Sequence, residues 1–194
     1  ITSPAQKRMF LLQQIDQNQT VYNIPAVWEI EGEAVEEKLQ LAFQQIIQRH
    51  ESFRTSFHII NDEPVQKIHP LANFQMEVLH PSSQKPVESL IKTFIRPFDL
   101  SEAPLFRAAL IPLQAHKFVL IVDMHHIISD GISIRIFIDE FKALSKGRNL
   151  PSITIQYKDY SQALPSLLPP DSLQQQETYW LNQFKDEIPV LNIL

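Results

Sequence analysis

The feature that most constrains this chain is a strand–hairpin–strand–helix run from Leu105 to Leu144. Leu105–Ile111 and Lys117–His125 are rich in apolar and β-branched residues and read as strands, with Pro112–His116 as the hairpin loop between them. Ile132, Ile136, Phe137, Phe141 and Leu144 then recur at helical spacing. Between the second strand and this helix stands Val122-Asp123-Met124-His125-His126-Ile127-Ile128-Ser129-Asp130-Gly131. The chain has only three glycines and seven histidines, so adjacent histidines followed by Asp-Gly are an unusual local choice. A strand end is rigid, and a helix start offers free N–H donors, so this is a good place for chemistry.

The flanks repeat the mixture. Pro4–Leu12 reads as a helix, Asn23–Glu31 as a strand ending at Gly32, and Ala34–Arg49 as an amphipathic helix carrying Val35, Leu39, Ala42, Phe43, Ile46 and Ile47. Phe53–Ile60 and Val65–His69 are strands around a break at Asn61-Asp62-Glu63-Pro64. Asn73–Leu79 is a weaker strand, and Lys85–Ile95 a helix stopped by Pro97. Gln156–Leu164 and Ser172–Lys185 read as helices about a proline-rich connector, Pro165–Pro170. Interleaved helices and antiparallel hairpins place the chain in the α/β or α+β class. At 194 residues, one domain with its own core is expected.

Composition excludes several functions. There are no cysteines, so disulfides, thiolate nucleophiles and thiolate metal sites are out. A net charge of −5 argues against nucleic acid or an anionic membrane as the main partner. The longest apolar run, Phe118–Val122, is too short to span a bilayer, and no charged-then-apolar segment opens the chain; the expectation is a cytoplasmic protein. Neither GxGxxG nor GxxxxGK[ST] occurs. HExxH is absent and no third ligand stands at standard spacing, which speaks against a metal. No GxSxG elbow supports a serine triad.

Within the strand–helix junction, His125 and His126 point to opposite faces, so one meets a cavity and the other packs. Gly131 permits close backbone approach or positive φ. Plain structural readings stand beside these: Asp130 as the N-cap of the following helix, and a strand-end histidine as a satisfied structural residue. His50, His58, His69, His80 and His116 have no partner pattern and read as surface or structural. Trp28, Phe43 and Phe57 read as core.

The run His125-His126-Ile127-Ile128-Ser129-Asp130-Gly131 is HHxxxDG, which resembles the signature of the condensation domains of nonribosomal peptide synthetases, relatives of chloramphenicol acetyltransferase. Three further blocks follow the family's order. Ser3-Pro4-Ala5-Gln6-Lys7-Arg8-Met9 resembles its SxAQxR opening, Arg49-His50-Glu51-Ser52-Phe53-Arg54-Thr55 its RHExxRT motif, and Tyr157-Lys158-Asp159-Tyr160 its YxD(F/Y) motif. The likeness covers essentially the whole chain. The intact HHxxxDG argues against heterocyclisation domains, which carry DxxxxD. Ile134 after Ser133, where epimerisation domains often place tryptophan, favours condensation.

The resemblance implies a chloramphenicol acetyltransferase-like lobe with a mixed, largely antiparallel sheet flanked by helices. It implies that residues 1–194 are the N-terminal lobe of a two-lobed, V-shaped domain, the chain crossing toward the second lobe at Pro189-Val190-Leu191-Asn192. The reaction implied is amide formation between an acyl or peptidyl thioester and an amine. Both ride on phosphopantetheine arms of donor and acceptor carrier proteins, so no cofactor or metal is bound directly. His126 would act as base or orient the amine, and a Gly131 N–H would stabilise the oxyanion. His125 would be structural. Asp130 would pair with an arginine, Arg54 first and Arg8 second, while Arg49 takes a solvated helix-end position. Two other readings remain: a non-catalytic carrier-docking lobe, and a stand-alone trimeric acyltransferase. The intact motif favours catalysis over the former, and the opening and RHExxRT blocks speak against the latter.

Overall fold

The computed structural model describes residues 1–32, 36–167 and 169–186. Helix α1 (Pro4–Ile15) starts in a capping box: Ser3 Oγ accepts the Gln6 N–H, and Gln6 Oε1 accepts the Ser3 N–H. It runs three residues past the expected Leu12 and buries Gln6, Phe10 and Gln13. Strand β1 (Asn23–Glu31) has the expected bounds. Helix α2 (Glu36–Arg49) buries Leu39, Ala42, Phe43, Ile46 and Ile47; the expected start at Ala34 and Val35 lies outside the described residues.

A single 3-10 turn over Glu51–Arg54 takes the first residues expected of the next strand, leaving β2 (Thr55–Ile60) paired antiparallel with β3 (Glu63–Ile68). Their turn is only Asn61-Asp62, with φ of 51° and 61°. A two-residue hairpin needs left-handed φ at both positions, and Asn and Asp tolerate it. Pro64 therefore belongs to β3 rather than to the turn, on a two-stranded ribbon where its missing N–H is tolerated.

Strand β4 is only Glu77–Val78. The rest of the expected Asn73–Leu79 strand is partnered by a side chain instead: Gln40 donates to the Phe74 carbonyl at 2.9 Å and accepts the Met76 N–H at 2.7 Å. Helix α3 (Val87–Phe94) follows, then β5 (Phe106–Gln114) and β6 (Lys117–His125). Pairing of β5 with β6 runs to Gln114–Lys117 past an irregularity between Pro112 and Gln114, so the loop shrinks to Ala115-His116 and Pro112 lies within the strand. His116 takes the left-handed φ of 65° that this tight turn needs.

Helices α4 (Gly131–Leu144), α5 (Tyr157–Leu167) and α6 (Pro170–Gln183) complete the chain. The expected proline connector is shorter than the sequence suggests. Pro165 lies inside α5, near enough to its end that the lost N–H interrupts only the last turn; Leu168 lies outside the described residues. No residue of α6 from 171 to 183 is buried, and Leu173, Tyr179 and Trp180, with Phe184 just beyond the helix, are exposed.

The strands form two sheets rather than one. Four order as β1-β6-β5-β4, antiparallel except for the parallel β4–β5 pair, and β2–β3 stand apart. One face of the larger sheet packs on α2 and α4 through an aromatic core that includes Phe43, Phe53, Phe74, Phe106 and Phe137. The other face packs Ala109, Ile111, Val119 and Ile121 on Leu90 and Phe94 of α3. Strand β6 is the buried centre of this arrangement, and its end is held on both sides. No helix among the described residues is long and apolar enough to cross a membrane.

Candidate active site

The paired histidines leave β6 in opposite environments, as the pleat requires. His125 is 1% exposed, its backbone N–H bound to the Leu105 carbonyl at 3.0 Å. His126 is exposed and donates its N–H to the Tyr22 carbonyl at 2.8 Å, the last tie to the β1 side. The chain then turns, with Ile128 N–H on the His125 carbonyl at 3.1 Å. The His125 Nδ1 accepts the Ile127 N–H at 3.0 Å, so the ring pins the same turn. Burial, with His126 adding to it, pulls the His125 pKa down to about 4. The ring is thus neutral near neutrality, with its proton on Nε2.

Asp130 caps α4: its Oδ1 accepts the Ser133 N–H at 2.8 Å and the Ser133 hydroxyl at 2.7 Å. These bonds hold its carboxyl below the usual range. The expected ion pair with Arg54 is not formed. Arg54 is buried and its guanidinium donates to the carbonyls of Ile47 at 3.2 Å, Gln48 at 3.3 Å and Pro70 at 3.4 Å, and to that of His69. Ile47 and Gln48 are at the end of α2, whose last carbonyls lack intrahelical partners and carry negative dipole. Two of its four hydrogen bonds go there and two to the His69 and Pro70 carbonyls, and Asp130, exposed and already bonded to Ser133, is not needed. Arg8 is exposed and makes no ion pair with Asp130. Arg49 is not merely solvated: its Nε sits 3.1 Å from Glu140 of α4, and His50 Nε2 lies 2.6 Å from the same carboxylate. Two more histidines have partners, since His58 and His69 each place Nε2 2.8 Å from the buried Ser56 hydroxyl.

Gly131 opens α4 without a positive φ, contrary to one expectation, and a Cβ built on it would meet nothing within 4 Å. Its N–H has no hydrogen-bond partner among the described residues.

The motif blocks converge on this point. A cavity of about 240 Å³ is walled by Gln6 and Met9 of α1, His126 and Ser129 of the turn, Ser133 of α4 and Tyr157 of α5. Gln6 Nε2 donates to the Ile127 carbonyl at 3.4 Å, and the Ser3 and Tyr157 hydroxyls share a 2.9 Å hydrogen bond. Gln156 binds the Glu51 N–H at 3.1 Å and the Arg49 carbonyl at 3.0 Å, with Lys158 on Glu51 at 2.6 Å. The opening block thus braces the paired-histidine turn directly, Tyr157 ties α5 to it, and the RHExxRT block holds the start of α5. Among the described residues, no group of three or more His, Cys, Asp or Glu stands together for a metal ion.

Two contributors escaped the sequence. Glu140 had no local signal, being one acid on a charged helix face. Asp123 had one: it shares strand parity with His125 in an otherwise apolar run, so it had to be buried. It is fully buried, its Oδ2 accepting from Asn23 Nδ2 at 2.7 Å and 3.7 Å from Arg107 Nε. Burial pushes Asp123 up to about 6 and Arg107 down to about 10, so desolvation outweighs their mutual attraction.

The family model described as Condensation domain matches residues 1–194. The chain is 45% identical over 192 residues to gramicidin S synthase 2 of Brevibacillus brevis, covering 98% of this chain and 4% of that protein. It is 44% identical over 191 residues to bacitracin synthase 2 of Bacillus licheniformis, covering 98% and 7%. It spans a small fraction of these curated relatives. Among solved structures it is similar to the first condensation domain of the calcium-dependent antibiotic synthetase, bound to a substrate analogue (TM-score 0.81, 20% identity, 97% of this chain and 48% of that one). It is also similar to the X-domain in complex with OxyB from teicoplanin biosynthesis (TM-score 0.82, 24% identity, 98% and 45%). At these identities the structures establish the fold.

Proposed function

The chain belongs to the condensation domain family, and from that premise we propose that it forms the N-terminal, motif-bearing lobe of an amide-forming domain in a nonribosomal peptide synthetase. The observation that carries this reading is the exposed His126 in a cavity where the opening block, the paired-histidine block and Tyr157 of the YxD(F/Y) block meet. A structural strand-end histidine has no need of such a setting, and His125 beside it already fills that role.

In the proposed reaction a carrier-bound amine attacks the carbonyl of a carrier-bound thioester. The new C–N bond forms, the tetrahedral intermediate expels the thiolate, and the amine's proton leaves with it as thiol. His126 takes or orients the amine proton, a role worth ~10²–10⁴-fold in rate. The Gly131 N–H, without a partner among the described residues, is our candidate to bind the oxyanion. His125 and Asp130 hold the turn from either end, and Arg54 fixes the end of α2 rather than Asp130. Upstream and downstream carrier proteins bring the substrates on phosphopantetheine arms. Confining both arms takes a second lobe, and losing their orientation forfeits ~7–11 kcal/mol of barrier lowering.

The test is amide formation between loaded donor and acceptor carriers in the complete two-lobed domain. His126→Ala should lower kcat ~10²–10⁴-fold with no change in Tm. A variant as fast as the parent overturns the reading in favour of a carrier-docking lobe. The 194-residue chain should be inactive alone; robust turnover without the second lobe revives the stand-alone acyltransferase.

A further inference from the structure

The larger sheet face that packs on α3 is apolar until its last rung, where Asn23, Arg107, Asp123 and His125 come together. The proposed reaction uses none of their polar atoms. Arg107 is fully engaged: its guanidinium lies 3.6 Å from the Phe98 ring centroid, and its Nη groups donate to the Phe94 carbonyl at 3.5 Å and the Pro97 carbonyl at 3.1 Å. Asn23 is engaged as well, donating to the Arg96 carbonyl at 2.9 Å and to Asp123 Oδ2 at 2.7 Å.

Two buried atoms are left over: Asp123 Oδ1, an acceptor, and His125 Nε2. Because Nδ1 accepts the Ile127 N–H, Nε2 carries the ring proton and is a donor. Buried polar groups seldom go without a partner, and these two are complementary. They stand two residues apart on one strand face, ~6.7 Å between Cα atoms, a spacing over which two side chains can meet directly or share one water with two ~2.8 Å hydrogen bonds. Phe98 walls the space, its ring perpendicular to His125 at 6.1 Å and stacked on Arg107.

We propose that Asp123 is a positioning residue for the paired-histidine turn: its Oδ1 takes the Nε2–H of His125, through one bridging water or directly after a small side-chain rotation. The bond fixes the imidazole that anchors the Ile127 N–H, and through it the backbone from which His126 projects. Arg107 and Asn23 aim the carboxylate, with Arg96 and Glu77 farther out on the same face. The consequence for rate rests on the reading of His126 given above; the hydrogen bond does not.

Asp123→Asn is the discriminating change. Asn23 presents an N–H to Oδ2, so the new amide must turn its oxygen there and its NH₂ toward the His125 donor, which breaks a direct bond and leaves a bridging water no acceptor at residue 123 to anchor it. The histidine ring nitrogens of the 15N-labelled 194-residue chain are read by NMR, with His125 assigned by its loss in His125→Gln. The parent should show His125 as the Nε2–H tautomer with a slowly exchanging ring proton. Asp123→Asn should speed that exchange at least ~10-fold, the Nε2–H tautomer being kept by the Ile127 N–H on Nδ1. A parent ring proton that exchanges as fast as an exposed imidazole's overturns the proposal, even where the variant fails to fold. So does an unchanged exchange rate in a folded Asp123→Asn. In the complete domain the same variant should lower kcat about tenfold, the usual scale for a supporting hydrogen bond, with KM unchanged. Unchanged kcat overturns the positioning role. A loss of His126 dependence would instead sink the proposed function, and the NMR readout would still judge Asp123.

Discussion

The two faces of β6 solve different problems with alternate residues of one strand. Phe118, Leu120, Val122 and Met124 face the aromatic core, where Phe43 stacks on Phe141 at 4.6 Å and Phe106 meets Phe43, Phe74 and Phe137 within 5.6 Å. Val119 and Ile121 begin the opposite face in the same apolar way, but Asp123 and His125 finish it with charge and directed hydrogen bonds. Burial of aromatic surface is strong and tolerant of direction. Buried polar groups add little net stability yet demand fixed geometry. The first face therefore carries the fold, and the second carries aim, at the end of the strand where the turn to His126 begins.

That division can be broken at either face. Phe43→Ala removes the most enclosed ring of the aromatic core, 0% exposed, and should cost ~3–5 kcal/mol in urea unfolding. A loss under 1 kcal/mol would mean the core is not centred there.

The polar face should answer to pH instead. The folded pKa of His125, about 4, lies below its unfolded value of 6.5, so its contribution is present above pH 6.5 and lost as pH falls through 4. Asp123, at about 6 against 3.8, runs the other way: its contribution is present below pH 3.8 and lost as pH rises through 6. Each displacement is worth roughly 3 kcal/mol, so in the parent the two nearly offset. Stability of Asp123→Asn relative to the parent should drop by roughly 3 kcal/mol between pH 7 and pH 4, and that of His125→Gln should rise over the same range. Parallel stability curves for parent and variants would show that the polar rung is not buried as described.

Smaller effects are expected where β6 hands over to α4. Asp130→Ala removes an N-cap and should cost ~1 kcal/mol. A loss of ~3–5 kcal/mol, the scale of a broken buried ion pair, would restore the arginine partner. Gly131→Ala should raise stability by under about 1 kcal/mol, since the position is helical and its Cβ meets open space; the same variant should slow amide formation if the Gly131 N–H faces the reacting carbonyl. Destabilisation by the alanine would reveal strain that the backbone angles do not show.

Much of this was legible in the chain itself. Strand β1, the body of α2, strand β6 and helix α4 follow from apolar periodicity, because a stripe or an alternation leaves few ways to cover it. The opposite aim of His125 and His126 follows from the pleat alone; the same parity buries Asp123, a signal the sequence reading did not use. Errors gathered where side chains replaced backbone partners or loops contracted. Gln40 consumed the hydrogen bonds of a would-be strand at Phe74–Met76, and left-handed Asn61, Asp62 and His116 tightened both hairpins.

What tertiary structure alone decided was the pairing of charges. The sequence offered Arg54 and Arg8 as partners for one aspartate and left Arg49 in solvent, and none of this holds: Arg54 went to the carbonyls ending α2, Arg49 to Glu140 of α4, and Asp130 to its own helix. Apolar burial is additive along a strand or helix and leaves a period in the sequence. A hydrogen bond or ion pair forms over about 3 Å between residues as distant as Arg49 and Glu140, and each donor takes whichever acceptor the packed elements bring within reach.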